Sequence, residues 1–156
     1  MPISETTDKT TSRHWLRMPA PDAGANFELF IFSGIGIFNK LKGTGSAWEG
    51  GDSFIQADFS NVISENHAIL TRHWTVDVHL ASIFNFKVAN NTGWSVNDFS
   101  LMRETNPSGG PQIAVVGGIL RIKTKIAVRD IDAFIHRLSF HVTILGKVID
   151  HEPVII

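Results

Sequence analysis

The side chains best suited to chemistry in this sequence are its seven histidines, because imidazole is the group whose unperturbed pKa lies nearest neutrality. Their spacing argues against a joint centre. His73, Asp77 and His79 share one strand parity, which lines two imidazoles and a carboxylate along one face. At about 3.3 Å per residue, however, His73 and His79 stand ~20 Å apart, too far to ligate one ion. Asp77 and His79 could act as an orienting pair only by meeting across a pleat, and the Trp, Val and Phe residues on the alternate positions make an exposed polar face the simpler reading. His136 and His141 have opposite parity and project from opposite faces of a strand. Arg121, Lys123 and Lys125 form a basic stripe that suits an anionic headgroup or phosphate, or more simply a solvated face guarding a sheet edge. The glycines of Ser33-Gly-Ile-Gly36 and Lys42-Gly-Thr-Gly-Ser46 lack the Lys-Ser/Thr ending of a phosphate loop, and neither a Gly-x-Ser-x-Gly elbow nor a His-Glu-x-x-His pair occurs. No metal site and no cofactor are expected.

The aromatic residues carry more information. Phe occurs 11 times, Trp four times and Tyr never, so few phenolic hydroxyls are there to orient a ligand. These rings either fill a tight core or line an apolar cavity. Trp48, Trp74 and Trp94 fall at strand ends or beside glycine turns, the places where a barrel's mouth admits a ligand. Together with His79 and Asp77 they are the expected ligand contacts, and the expected ligand is largely apolar, with sugars and nucleotides ranked low.

The elements that must position these residues read as strands. Residues 1–26 carry Thr, Ser, Asp and three prolines with almost no periodicity, which predicts a flexible polar arm whose residues 1–12 are dispensable for folding. From Phe27 to Phe38 a strand has apolar residues on both faces, with Gly34 and Gly36 on one face where the chain bends or admits a close neighbour. A second strand spans Ser53 to Phe59. In Trp74 to Phe86 the residues Trp74, Val76, Val78, Leu80, Phe84 and Phe86 share one face, the pattern of a half-buried antiparallel strand. Asn90-Asn-Thr-Gly93 predicts a turn into a strand from Trp94 to Met102, and Asn106 to Pro111 a loop. Ile113 to Val128 reads as a strand with Val116, Leu120, Ile122, Ile126 and Val128 facing in. A helix of one to two turns is expected near residues 130–136, capped by Asp130. The last strand, His136 to Ile149, puts Leu138, Phe140, Val142, Ile144 and Val148 inward. These segments predict an all-β fold with a single domain at 27–152: a small closed antiparallel barrel of about eight strands, or a sandwich.

Val128 to Phe140, preceded by Gly117-Gly-Ile-Leu120, resembles a stretch of the virulence-associated protein family of actinobacterial pathogens, in which an acidic-capped turn leads into a strand with a Ser-Phe pair. Gly34-Ile-Gly36 and Gly43 to Trp48 are similar to that family's glycine-rich segment, though at the opposite end of the chain, as in a permuted relative. The resemblance implies a closed eight-stranded antiparallel barrel without a recognised catalytic site and with a role at host membranes.

Composition narrows the function classes. The 156 residues suffice for one core. A formal charge of −1, from 14 basic and 15 acidic residues, gives no general attraction to phosphate backbones, so nucleic acid is not an expected partner. With no cysteine there is neither a disulfide framework nor a thiolate nucleophile. Met1 to Thr11 has no apolar centre, which points to the cytoplasm or to export without a conventional signal peptide. No apolar run approaches the ~20 residues of a spanning helix. The leading expectation is a non-catalytic binding or assembly protein that meets an apolar small molecule, a membrane surface or further copies of itself. The alternative is a small barrel enzyme, a cyclase or isomerase, in which one His or Asp moves a proton inside an aromatic cavity.

Overall fold

The computed structural model describes residues 3–42, 49–85, 99–102, 113–128 and 133–151. These form nine strands: β1 (Ile3–Thr6), β2 (Lys9–Pro19), β3 (Glu28–Lys42), β4 (Glu49–Asp58), β5 (His67–Asn85), β6 (Phe99–Met102), β7 (Ile113–Val116), β8 (Ile119–Val128) and β9 (Ala133–Asp150). All nine belong to one sheet in the order β1-β4-β8-β7-β5-β9-β3-β2, with β6 added to β8. The sheet curls into an open half-barrel. It is mixed, because β1 runs parallel to β4, so the expected closed, purely antiparallel barrel is not what forms.

Strict alternation places the core. On β9, Leu138, Phe140, Val142 and Ile144 are buried while Arg137 and His141 are exposed, as the period of two requires. The inward face of β3 reads Phe30, Phe32, Gly34, Gly36 and Phe38, all buried. The two glycines make room for neighbours: a Cβ on Gly34 would stand 2.8 Å from the Phe140 ring, and one on Gly36 would stand 2.6 Å from the Thr7 methyl group. Phe30, Phe32 and Phe59 form the aromatic centre, with Phe32 and Phe59 ring centroids 4.7 Å apart. Around them pack Ile55, Ile63, Ile113, Leu120 and Ile122.

Three expectations change. Residues 133–136 belong to β9 rather than to a helix. Phe134 and Ile135 pair on one side with Lys42 and Leu41 and on the other with Phe84 and Ile83, and pairing on both sides outweighs a local capping signal. Asp130 lies outside the described residues. Ile113 to Val128 is a hairpin rather than one strand: Gly117 and Gly118 take φ values of 63° and 79°, the left-handed pair that a two-residue turn demands. That turn leaves Val116 exposed rather than inward. The predicted turn at residues 90–93 and loop at 106–111 lie outside the described residues.

The third change concerns the arm. Residues 3–6 and 9–19 form β1 and β2, which pair with β4 and β3, the strands that would otherwise end the curled sheet on its two sides. Their Thr, Ser, Lys and Arg residues carry no apolar alternation because β2 is exposed along most of its length, and backbone pairing rather than burial orders it. Between them Thr7 donates its amide to Phe54 O at 2.9 Å and Asp8 donates to Ile37 O at 2.8 Å, so this short link touches both edges.

Phe140→Ala is expected to lower the unfolding free energy by about 3–5 kcal/mol, the cost of truncating a buried Phe, whereas His141→Ala changes it by less than about 0.5 kcal/mol. Urea unfolding of the two variants checks the register. Deletion of residues 1–12, harmless for a free arm, is expected to cost about 2 kcal/mol or more because it removes β1 and the Thr7 and Asp8 bonds.

Candidate site at the seam of the half-barrel

Past Asp8 the two edges diverge, and side chains take over the bridging. A β-bulge interrupts β2 between Thr11 and His14, with Ser12 at φ 53°. Such a bulge re-aims the side chain beside it. Here Arg13 reaches across the gap, its Nη1 donating to the Asp58 carbonyl at 2.9 Å. Four residues on, Arg17 makes a second bridge. Its Nη1 donates to Val62 O at 2.9 Å, and its Nε and Nη2 donate to the Glu28 carboxylate at 2.7 and 3.0 Å.

Between these two bridges the seam opens into a cleft of about 330 Å³ lined by Arg13, Trp15, Asp58, Phe59, Ser60 and Asn61. Phe59, fully buried, is its floor. The Trp15 indole is 49% exposed. At the end of β4 the chain turns sharply, and Asp58 Oδ1 accepts the Ser60 amide at 2.8 Å, the Asx arrangement that ends strands. Hydrogen bonds from the Ser60 hydroxyl and amide, aided by the Arg13 charge and opposed by slight desolvation, hold the Asp58 carboxyl below its ordinary value. It is ionised at neutral pH. Arg13 therefore faces a carboxylate, and the cleft as a whole carries no net charge.

Of the residues expected at a ligand site, the three described ones, Trp74, Asp77 and His79, do not line this cleft. Trp48 and Trp94 lie outside the described residues. Trp74 is half-buried and packs against the core rather than standing at a mouth. Asp77 and His79 are exposed on the convex face of β5, away from the core, and the His79 carbonyl accepts the Ser139 hydroxyl at 3.5 Å. Within the basic stripe the Arg121 guanidinium lies 4.4 Å from the Phe54 ring centroid and Lys123 stands 4.0 Å from Asp52. The side chain of Lys125 is outside the described set. His136 Nδ1 contacts Phe38 O at 3.3 Å, while His141 is exposed on the other face. Among the described residues no group of three His, Asp or Glu side chains could hold a metal ion, and no helix is long and apolar enough to cross a membrane.

Sequence reading missed the cleft because its two halves, residues 13–15 and 58–61, are remote in the chain. The one local signal was Arg13, Trp15 and Arg17 at alternate positions. On the convex face, Leu70, Val116 and Ile149 are all exposed around Ala68, an apolar patch crossing three strands. No protein-family model, curated protein or solved structure matches the chain.

The lowered Asp58 pKa makes a signed prediction. The ionised form is favoured in the folded state, so its contribution is present above the ordinary carboxylate pKa and is lost as pH falls through the folded value. Unfolding midpoints measured from pH 6 to pH 2 should therefore fall more steeply in the wild type than in Asp58→Ala. Because Asp58 is solvent-exposed the difference is small and shrinks further in high salt.

Proposed function

We propose that the protein works by binding or assembly rather than by covalent catalysis, and that its contact site is the seam cleft between β2 and the β4–β5 connection. The observation that carries this reading is the half-exposed Trp15 indole, held between two arginine bridges over the buried Phe59 ring, in a sheet whose inward side chains, where described, pack into one core. Exposed tryptophans flanked by charged planar groups are characteristic of contact surfaces. The cyclase or isomerase reading needs a titratable group inside an apolar cavity. Among the described residues the buried polar side chains are Ser53 and Thr124, neither of which titrates near neutrality. The apolar patch around Ala68 is a further surface for self-association.

Screening against fatty acids, an apolar dye, oligosaccharides and peptides by native mass spectrometry is the test. At least one class is expected to bind unaltered. Trp15→Ala is expected to weaken that binding tenfold or more, while Trp74→Phe leaves it intact. Chemical turnover of a bound compound, or binding indifferent to Trp15, sinks the reading.

A further inference from the structure

Building on the reading of the seam as a binding site, we infer that the cleft takes a neutral polyhydroxylated ligand, a sugar ring or a short neutral glycan. Charge makes the first selection. Arg13 and Asp58 lie on the same wall, with the guanidinium bonded to the Asp58 carbonyl and its charge acting on the Asp58 carboxyl. An anion drawn to Arg13 meets the carboxylate, and a cation drawn to Asp58 meets the guanidinium, so neither sign of ligand is favoured over a neutral one.

Hydrogen-bonding capacity makes the second. Arg13 has five N–H donors, of which one is spent on Asp58 O. The Asp58 carboxylate offers about four acceptor positions, and Ser60 occupies two through its hydroxyl and amide. The Asn61 amide has no hydrogen-bond partner among the described residues. A guanidinium, a carboxylate and a carboxamide are planar and fork-shaped, the geometry that engages adjacent hydroxyls two at a time. An apolar ligand would cover these groups and leave them unsatisfied. Shape makes the third. The Trp15 ring is a flat apolar plate beside that polar rim, and a sugar ring has the matching pair of surfaces, a face of C–H groups and an edge of hydroxyls. A cleft of about 330 Å³ sits at the small end of the roughly 300–1,000 Å³ typical of ligand sites, suited to one or two rings. The ligand inferred here is thus more polar than the aromatic composition alone implies.

The test is titration of the full chain with neutral mono-, di- and oligosaccharides of glucose, galactose, mannose and N-acetylglucosamine, followed by calorimetry and by tryptophan emission. Sialylated and sulfated glycans, a fatty acid and an apolar dye serve as comparison probes. At least one neutral glycan is expected to bind saturably. Trp15→Ala and Asn61→Ala should each weaken it at least tenfold, Trp15→Phe less so, and the emission change should vanish in Trp15→Phe. Unaltered unfolding midpoints establish that these surface variants are folded. Tighter binding of the charged glycans, or of the fatty acid or dye in a Trp15-dependent manner, overturns the ligand class while leaving the seam as the site. Glycan binding indifferent to Trp15 and Asn61 overturns the placement. Absence of any Trp15-dependent ligand overturns both this inference and the reading beneath it.

Discussion

Strand β9 is hydrogen-bonded to a long neighbour on each side, β3 from Glu28 to Lys42 and β5 from His67 to Asn85, and everything else in the fold is arranged around that three-strand centre. Its inward residues Leu138, Phe140, Val142 and Ile144 lie between the inward residues of the other two, so a one-residue slip of β9 would turn four buried side chains to water and bring Arg137 and His141 inside. Burial on one face thus sets the register on both sides. Bulges in the β5–β9 ladder, after Thr71 and Leu80, bend the centre and begin the curl.

The curl brings β3 and β4, each next to an end of the sheet, close without letting them pair along their length. The N-terminal segment resolves the mismatch by changing partners midway, running parallel on β4 and then antiparallel on β3. Gly36 admits the Thr7 methyl group where that crossing occurs. Beyond it the gap exceeds backbone hydrogen-bond reach, and Arg13 and Arg17 cross it with side chains instead. A seam of this kind retains a sheet edge with unpaired groups, which arginine and proline residues protect from indiscriminate pairing. β2 begins with Lys9, carries both arginines and ends at Pro19.

What could be read in advance follows from which forces are local. The inward set of β9 and the paired glycines of β3 were visible because one-sided burial writes a period of two into the residues themselves. β1 and β2 were not, because an exposed edge strand has no such period. Its order comes from backbone pairing with neighbouring strands, from Pro19 on Glu28 near the hairpin turn to Lys9 on Ile37 and, for β1, Thr6 on Phe54. The helix expected near Asp130 rested on a cap signal worth about 1 kcal/mol, less than the ladder that claims Phe134 and Ile135. Gly117-Gly118 was a turn signal in plain view, and the apolar run on both sides concealed it. The linear signature of the seam cleft went no further than the alternating Arg13, Trp15 and Arg17, since a wall made of Arg13 and Asp58 exists only after the sheet has curled. The exposure of Asp77 and His79 was legible from the same parity that placed Trp74, Val76 and Val78 on the opposite face.

The position of β9 in the sheet has a consequence for how the chain comes into being. The central strand comes last in chain order among the described strands. Until β9 is made, β3 and β5 have no common neighbour, and among the described strands the β2–β3 and β7–β8 hairpins are the adjacent pairings with local connections. The long apolar faces of β3 and β5 must therefore wait for the eighteen residues of β9 before they are covered. Such a protein is most exposed to aggregation just before its C-terminal strand emerges. Truncations there would be lost to misassembly rather than accumulating as a partly working form.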